Sequence, residues 1–203
     1  MNREELLLSV PRKEMERLLQ VEHPDPHSIL GAHPLDVPGQ VIIRGYHPEA
    51  VKAEVILDQG VFRPMKLVDG RGLFAVLISG RKWPFMYRLR FTFADVNTWE
   101  RVDPYRFQPT LGELDLYLIG EGTHKRLYDR LGAHLLTLDG IEGTAFAIWA
   151  PNAKRVSVIG DFNHWDGRVH PMRSMGPSGV WELFVPGLEP GLLYKYELKT
   201  KKG

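Results

Sequence analysis

Hydrolysis or transfer of sugars calls for two carboxylates held about 5 to 9.5 Å apart on a rigid frame, and the acids of this chain are scattered rather than paired. Asp161 and Asp166 come nearest to a pair, since they flank the turn GDFNHWDG. Turn aspartates commonly accept hydrogen bonds from neighbouring backbone N–H groups, however, and both are read in that role. His23 and His27 have the i, i+4 spacing of a metal-binding helix face, but Pro24 and Pro26 break the helix that this spacing needs. GEGTHK, from Gly120 to Lys125, lacks the preceding strand and the third glycine of a dinucleotide-binding loop, so it reads as a linker. No serine stands in a nucleophile-elbow context. The chain has no cysteine, which excludes disulfides, thiolate zinc sites and cysteine nucleophiles. The expectation is therefore no catalytic residue, no metal and no cofactor.

Binding character is concentrated in WAPNAKRVSVIGDFNHWDGRVHPM, Trp149 to Met172. Val156, Val158 and Gly160 predict a strand, and the turn after it presents Asn163 and Trp165 together. A flat aromatic face suits the apolar C–H face of a pyranose ring, while an amide and an ammonium bond its hydroxyls. Trp165, Asn163 and Lys195 can form such a platform. One Trp beside a turn can equally cover the end of a sandwich core, and residue types alone leave both readings open. Trp149 and Trp181 lie within strand patterns and are read as core.

The elements that must position these residues are mostly strands. Gly and Pro number 20 and 15, about 17% of the 203 residues against roughly 12% in ordinary usage, and Phe, Tyr and Trp number 9, 7 and 5. That combination favours many short strands joined by turns. Tyr87, Leu89, Phe91 and Phe93 fall on one side of a period-two pattern, as do Tyr194, Tyr196 and Leu198, and Val51, Ala53, Val55 and Leu57. Two segments read as helix. One carries Met15, Leu18 and Leu19 and must end before the prolines of HPDPH. In the other, Thr110 and Glu113 predict a capping box, with Leu111, Leu114 and Leu118 on one face. Lys plus Arg total 26 against 25 Asp plus Glu, too even a balance for neutralising a run of phosphates, so nucleic acid is not an expected partner. The N-terminal run Leu6 to Val10 is too short for a secretory signal, and no segment reads as a membrane span; a cytoplasmic protein is expected.

An internal repeat organises the chain. LGAH at Leu30 to His33 recurs at Leu131 to His134, an offset of 101. Pro48 and Ala50 match Pro151 and Ala153 at 103, and Pro64-Met65, Gly72 and Tyr87 match Pro171-Met172, Gly179 and Tyr194 at 107. The repeat predicts an all-β chain of two tandem immunoglobulin-like antiparallel β-sandwiches, preceded by a short helix and joined by a short helical linker. The expected boundaries are 1–107, a linker over 108–127, and 128–203. The first copy closes with NTWERVDPY, ending at Tyr105, and the counterpart of that residue would fall past Gly203. The second sandwich is thus expected to lack its last strand, with Lys199, Lys201 and Lys202 guarding the open edge.

WAPNAKRVSVIGDFNHWDGRVHPM, followed by SGVWELFVPG and GLLYKYELK, resembles the family 48 carbohydrate-binding module of α-amylase-superfamily enzymes. DPYRF (Asp103 to Phe107), EGTH (Glu121 to His124), LGAH and LDG (Leu138 to Gly140) narrow the resemblance to bacterial 1,4-α-glucan branching enzymes with an extra N-terminal module. The resemblance implies an activity that cuts an α-1,4-glucan and rejoins it through an α-1,6 bond in glycogen synthesis, on a separate (β/α)₈ barrel. A barrel needs about 250 residues of alternating strand and helix, so this chain is expected to be inactive alone, with the barrel as partner. In glucan-binding relatives the platform includes residues matching Trp165 and Lys195, with Asn163 in the same turn. A second platform Trp follows the YK strand in those relatives; here only the first copy has one, Trp99. Two partial platforms imply weak, millimolar binding of glycogen or maltooligosaccharides. An autonomous glycan-binding or regulatory module and a protein interaction module are the competing functions.

Overall fold

Strands that alternate apolar and polar residues bury one face only when a second sheet covers it, and this chain meets that requirement twice. The computed structural model describes residues 10–200. They divide into two units: the chain up to Glu16 with His27–Arg106, and Arg17–Pro26 with the chain from Phe107 onward. The segment 108–127 therefore packs with the second repeat. No helix among the described residues is long and apolar enough to cross a membrane.

In the first unit, β1 (Gly31–Pro34), β2 (Gln40–Tyr46), β6 (Leu73–Ser79) and β5 (Lys66–Asp69) form one antiparallel sheet in the order β1-β2-β6-β5. β4 (Val61–Pro64), β3 (Ala50–Leu57), β7 (Tyr87–Phe93) and β8 (Thr98–Val102) form the other, in the order β4-β3-β7-β8. Val41, Ile43, Val55, Phe74, Leu89 and Phe91 meet between the sheets, nearly free of solvent, each contributing about 1.5–3 kcal/mol by burial. The pattern of β3 is broken once. A bulge between Ala50 and Lys52 leaves Val51 60% exposed, whereas strict alternation places it inward.

The second unit repeats this frame. β9 (Gly132–Leu138), β10 (Ile141–Trp149), β13 (Val180–Pro186) and β12 (Arg173–Ser174) form the sheet β12-β13-β10-β9, and β11 (Ala153–Gly160) pairs with β14 (Tyr194–Thr200). The repeat extends to single hydrogen bonds. His47 N donates to Gly72 O (3.0 Å) as Ala150 N does to Gly179 O (2.8 Å), and Met65 N donates to Ala53 O as Met172 N does to Val156 O, both at 2.9 Å. Gly72 has φ +97°, and a Cβ there would lie 1.9 Å from His47 O, so only glycine serves. The bulge recurs as well, between Ala153 and Arg155.

One pairing differs. β7 carries β8 on its outer edge through five registered pairs, from Arg88↔Val102 to Thr92↔Thr98, whereas β14 pairs, among the described residues, with β11 alone. The inward residues show the consequence: Tyr87 and Phe91 are 2% and 3% exposed, while their counterparts Tyr194 and Leu198 are 37% and 44% exposed. Of the three, only Tyr196, whose hydroxyl lies 2.9 Å from Gly132 O, is half-buried rather than exposed. Lys199 does not stand free at this edge, because Glu22 takes both it and Lys154 at 2.6 Å. These two ammonium groups hold the Glu22 carboxyl down at about 2. Lys201 and Lys202 lie outside the described residues.

The helices depart from expectation in detail. Arg12–Leu19 is helical and stops ahead of the prolines, closed by Val21 N to Leu18 O (2.9 Å) and Glu22 N to Arg17 O (2.7 Å). The second helix runs Glu113–Gly120 from a Gly112 cap that makes no side-chain bond. Thr110 forms no capping box. Its Oγ1 donates instead to Glu182 Oε2 (2.7 Å), which also accepts from the backbone N–H groups of Thr110 (3.0 Å) and Leu111 (3.2 Å). Arg173 completes the cluster at 2.6 Å from Glu182, whose side chain is 1% exposed. Since the helix starts after Leu111, its buried side runs through Ile119, and Leu114 is 70% exposed.

Two predictions follow from the buried acids. Glu182→Ala leaves Arg173 and two backbone donors unpaired, so the second unit should lose about 3–5 kcal/mol in urea denaturation. Asp103 accepts from Tyr87 Oη (2.7 Å) and Tyr105 N (2.9 Å), but burial outweighs these bonds and pushes its carboxyl from 3.8 up to about 6. The folded first unit thus holds this proton more tightly than the unfolded chain. Its contribution to stability is full below pH 4 and is lost, by up to about 3 kcal/mol, as pH rises through 6. Denaturation at pH 4, 5, 6 and 7 should show that decline, and Asp103→Asn should flatten it.

Candidate glycan-binding turn

The turn after β11 is built inward from one amide. Asn163 Oδ1 accepts from Gly160 N (2.9 Å), and its Nδ2 donates to Val158 O (2.9 Å) and lies 2.9 Å from His170 Nδ1. Asn163 is 2% exposed. Its amide closes the turn and does not face solvent, so the expected sugar-bonding role is not what its position offers. Gly160 permits the closure, because a Cβ there would sit 2.4 Å from Leu193 O. The chain then passes through left-handed backbone at His164 (φ 54°) and Trp165 (φ 60°), and Trp165 N returns to Gly160 O at 3.0 Å.

This sequence of constraints leaves the Trp165 ring 39% exposed at the tip. Asp161 Oδ1 accepts from its indole Nε1 at 3.1 Å and fixes the ring's direction. Asp166 accepts from the Arg168 backbone N–H (2.8 Å) and pairs with its guanidinium (2.6 Å). Asp166 thus accepts a backbone N–H as read from sequence, whereas Asp161 accepts from an indole side chain instead. Lys195, exposed at the start of β14, places its Nζ 5.8 Å from the Trp165 ring centroid, within reach of a cation–π attraction worth about 0.5–1 kcal/mol at an exposed site. An oriented indole with an exposed ammonium beside it offers an apolar plane and a hydrogen-bond donor together.

Trp99 belongs to the first unit and is differently placed. It pairs with Phe91 across β7 and β8, the Arg101 guanidinium lies over its ring, and His47 meets it edge-on at 5.2 Å. Burial lowers the Arg101 pKa to about 9. The Trp99 ring is therefore packed between neighbours. Trp181 is buried, with Nε1 donating to Ala150 O (3.2 Å). Trp149, read as core, is 56% exposed: it ends β10, and its Nε1 donates to Ser178 O (3.1 Å) while most of the ring meets solvent. Its place immediately before the turn-forming Ala150-Pro151 was the available signal. His23 Nδ1 accepts from Asp25 N (3.1 Å), and His27 packs edge-on against Tyr105.

Known proteins align with both units. Residues 11–105 match the family described as alpha-1,4-glucan branching enzyme GlgB, N-terminal domain, and residues 130–203 match carbohydrate-binding module 48 (isoamylase N-terminal domain). The 1,4-alpha-glucan branching enzyme GlgB of Myxococcus xanthus is 47% identical over 190 residues, 94% of this chain and 26% of that protein. The enzyme of the same name from Cereibacter sphaeroides is 48% identical over 96% of this chain and 26% of its own length. A Streptomyces coelicolor relative, 1,4-alpha-glucan branching enzyme GlgB 1, is 50% identical over 93% of the chain and 24% of its length. The chain thus spans about a quarter of these relatives.

Asn163→Ala should strand Gly160 N–H and Val158 C=O in a buried site, destabilising the second unit by about 2–3 kcal/mol. Thermal unfolding checks this, and the indole emission of Trp165 should shift towards that of a fully solvated ring.

Proposed function

Because the chain belongs to the GlgB branching-enzyme family and carries its N-terminal domain and a module 48, we propose that it is the non-catalytic N-terminal portion of a cytoplasmic 1,4-α-glucan branching enzyme. In that enzyme a catalytic barrel cuts α-1,4-glucan and re-forms the released chain as α-1,6 branches. Residues 128–203 grip glucan, residues up to 107 form a supporting module, and 108–127 connect them. Trp165 supplies the stacking plane and Lys195 the hydroxyl donor, with Asn163 positioning both by closing the turn. Trp99 sits in the supporting module, and its covered ring gives it a packing role there. The observation that carries this reading is the Trp165 ring, fixed by Asp161, open to solvent and accompanied by Lys195. One indole and one ammonium on an open surface bind weakly, with Kd of about 1 mM or above.

Titrating maltoheptaose against tryptophan fluorescence or NMR shifts should give saturable millimolar binding. Trp165→Ala should weaken it about tenfold, equivalent to the roughly 1.4 kcal/mol of one stacking contact, and Lys195→Ala by less. An unchanged affinity in Trp165→Ala removes the turn as the contact. Amylose incubated with the chain should keep its iodine colour; a loss of colour places catalysis within these residues.

A further inference from the structure

The loop between β13 and β14 meets the turn described above with only one of its ends. At that end Leu193 O stands 3.4 Å from Asp161 N and directly over Gly160. Nearer its start, at Gly187 to Pro190, the same loop walls a cleft of about 350 Å³, lined among others by Leu135, Thr137, Glu142, Leu188, Glu189 and Pro190. Two bonds fasten that wall: Gly187 N donates to Glu142 O (2.9 Å), and Thr144 Oγ1 donates to Leu188 O (3.4 Å).

The lining determines what can enter. It contains no lysine, arginine or histidine, so a phosphate or carboxylate finds no counter-charge there. Among the described residues no group of three or more His, Asp or Glu side chains converges as a cation would need. What remains is an apolar wall of Leu135, Leu188 and Pro190 with two carboxylates, Glu142 and Glu189, which no other side chain of the described residues occupies. That combination suits a neutral polyhydroxylated ligand, whose C–H face lies on the leucines while its hydroxyls donate to the carboxylates. The volume lies at the small end of ligand pockets and accommodates a short stretch of sugar units.

We infer that this cleft is a second glucan subsite, joined to the Trp165 turn over the loop Gly187–Leu193, so that one α-glucan chain occupies both. The inference rests on the glucan-binding reading of Trp165. Its signature is length dependence, because two linked weak contacts add only for a ligand long enough to span them.

The test titrates maltotriose and maltoheptaose against the ¹⁵N-labelled chain. Maltoheptaose should shift the amides of Thr137, Glu142 and Leu188 together with the Trp165 indole, and should bind about tenfold tighter than maltotriose. In the exposed double variant Glu142→Gln/Glu189→Gln this length advantage should vanish, with maltotriose affinity unchanged and the remaining spectrum superimposable on the parent. Shifts confined to the Trp165 turn, or a length advantage that survives the double variant, overturn the cleft and leave the platform standing. Shifts confined to the cleft overturn the platform instead and, with it, the joined track. Absence of any shift refutes both.

Discussion

The amide of Asn163 is the fixed point of the Trp165 turn in the second unit. A turn that reverses the chain within a few residues of a buried strand leaves backbone N–H and C=O groups with no sheet partner, and such groups are expensive to bury unpaired. One side chain with both a donor and an acceptor resolves the problem locally, by taking Gly160 N–H and Val158 C=O at 2.9 Å each. With those two groups satisfied, the backbone can enter the left-handed region at His164 and Trp165 without glycine, and an indole ends up outside. The exposed aromatic is thus a product of a buried polar contact.

The two units show how one frame is put to different uses. One sheet corresponds strand for strand, β1-β2-β6-β5 with β9-β10-β13-β12, and the hydrogen bonds at Gly72 and Gly179 close equivalent corners. The divergence lies in the connection after β3 and β11. In the first unit a three-residue turn, Asp58–Gly60, leads straight into β4. In the second, β11 is followed by the longer Asn163 turn, and the counterpart of β4 shrinks to one bridge between Ser157 and Pro171. Lys195, which lies beside Trp165, corresponds to Arg88, which faces Glu100 at 3.6 Å. The same position lies beside an indole in one copy and faces a neighbouring carboxylate in the other.

Much of this was legible in the sequence, for identifiable reasons. Constant offsets at 101, 103 and 107 located the repeat because glycine corners and proline turns tolerate few alternatives, and period-two runs located β7 and β14. Asp166 was also readable, since Asp in a tight turn commonly takes a backbone N–H two residues on, while the Asp161 bond to the Trp165 indole was not. What escaped were outcomes decided by partners distant in sequence. Thr110 and Glu113 have capping-box spacing, yet Glu182, 72 residues further on, captures the Thr110 hydroxyl and moves the helix start to Glu113. Asn163 has the composition of a sugar ligand, and only its burial beside His170 shows that its amide is already used. Trp149 has a strand pattern on one side and a turn on the other, and periodicity gives no weight to that boundary.

β14 links these packing questions to binding. Alternation along a strand records the face it is built to cover, and the exposures of Tyr194 and Leu198 measure how much of that face two strands leave open. Yet the strand supplies successive residues to two different tasks. Tyr194 packs edge-on against Phe146 at 5.0 Å, and the next residue, Lys195, stands at the Trp165 ring. Register couples them, because a slip of one residue would exchange the core face for the solvent face. The hydroxyl of Tyr196, held to Gly132 O, and the Arg155–Glu197 pair at 2.6 Å are what resist that slip. The position of the ammonium beside Trp165 is therefore set by contacts further along β14, inside the sandwich and at its rim.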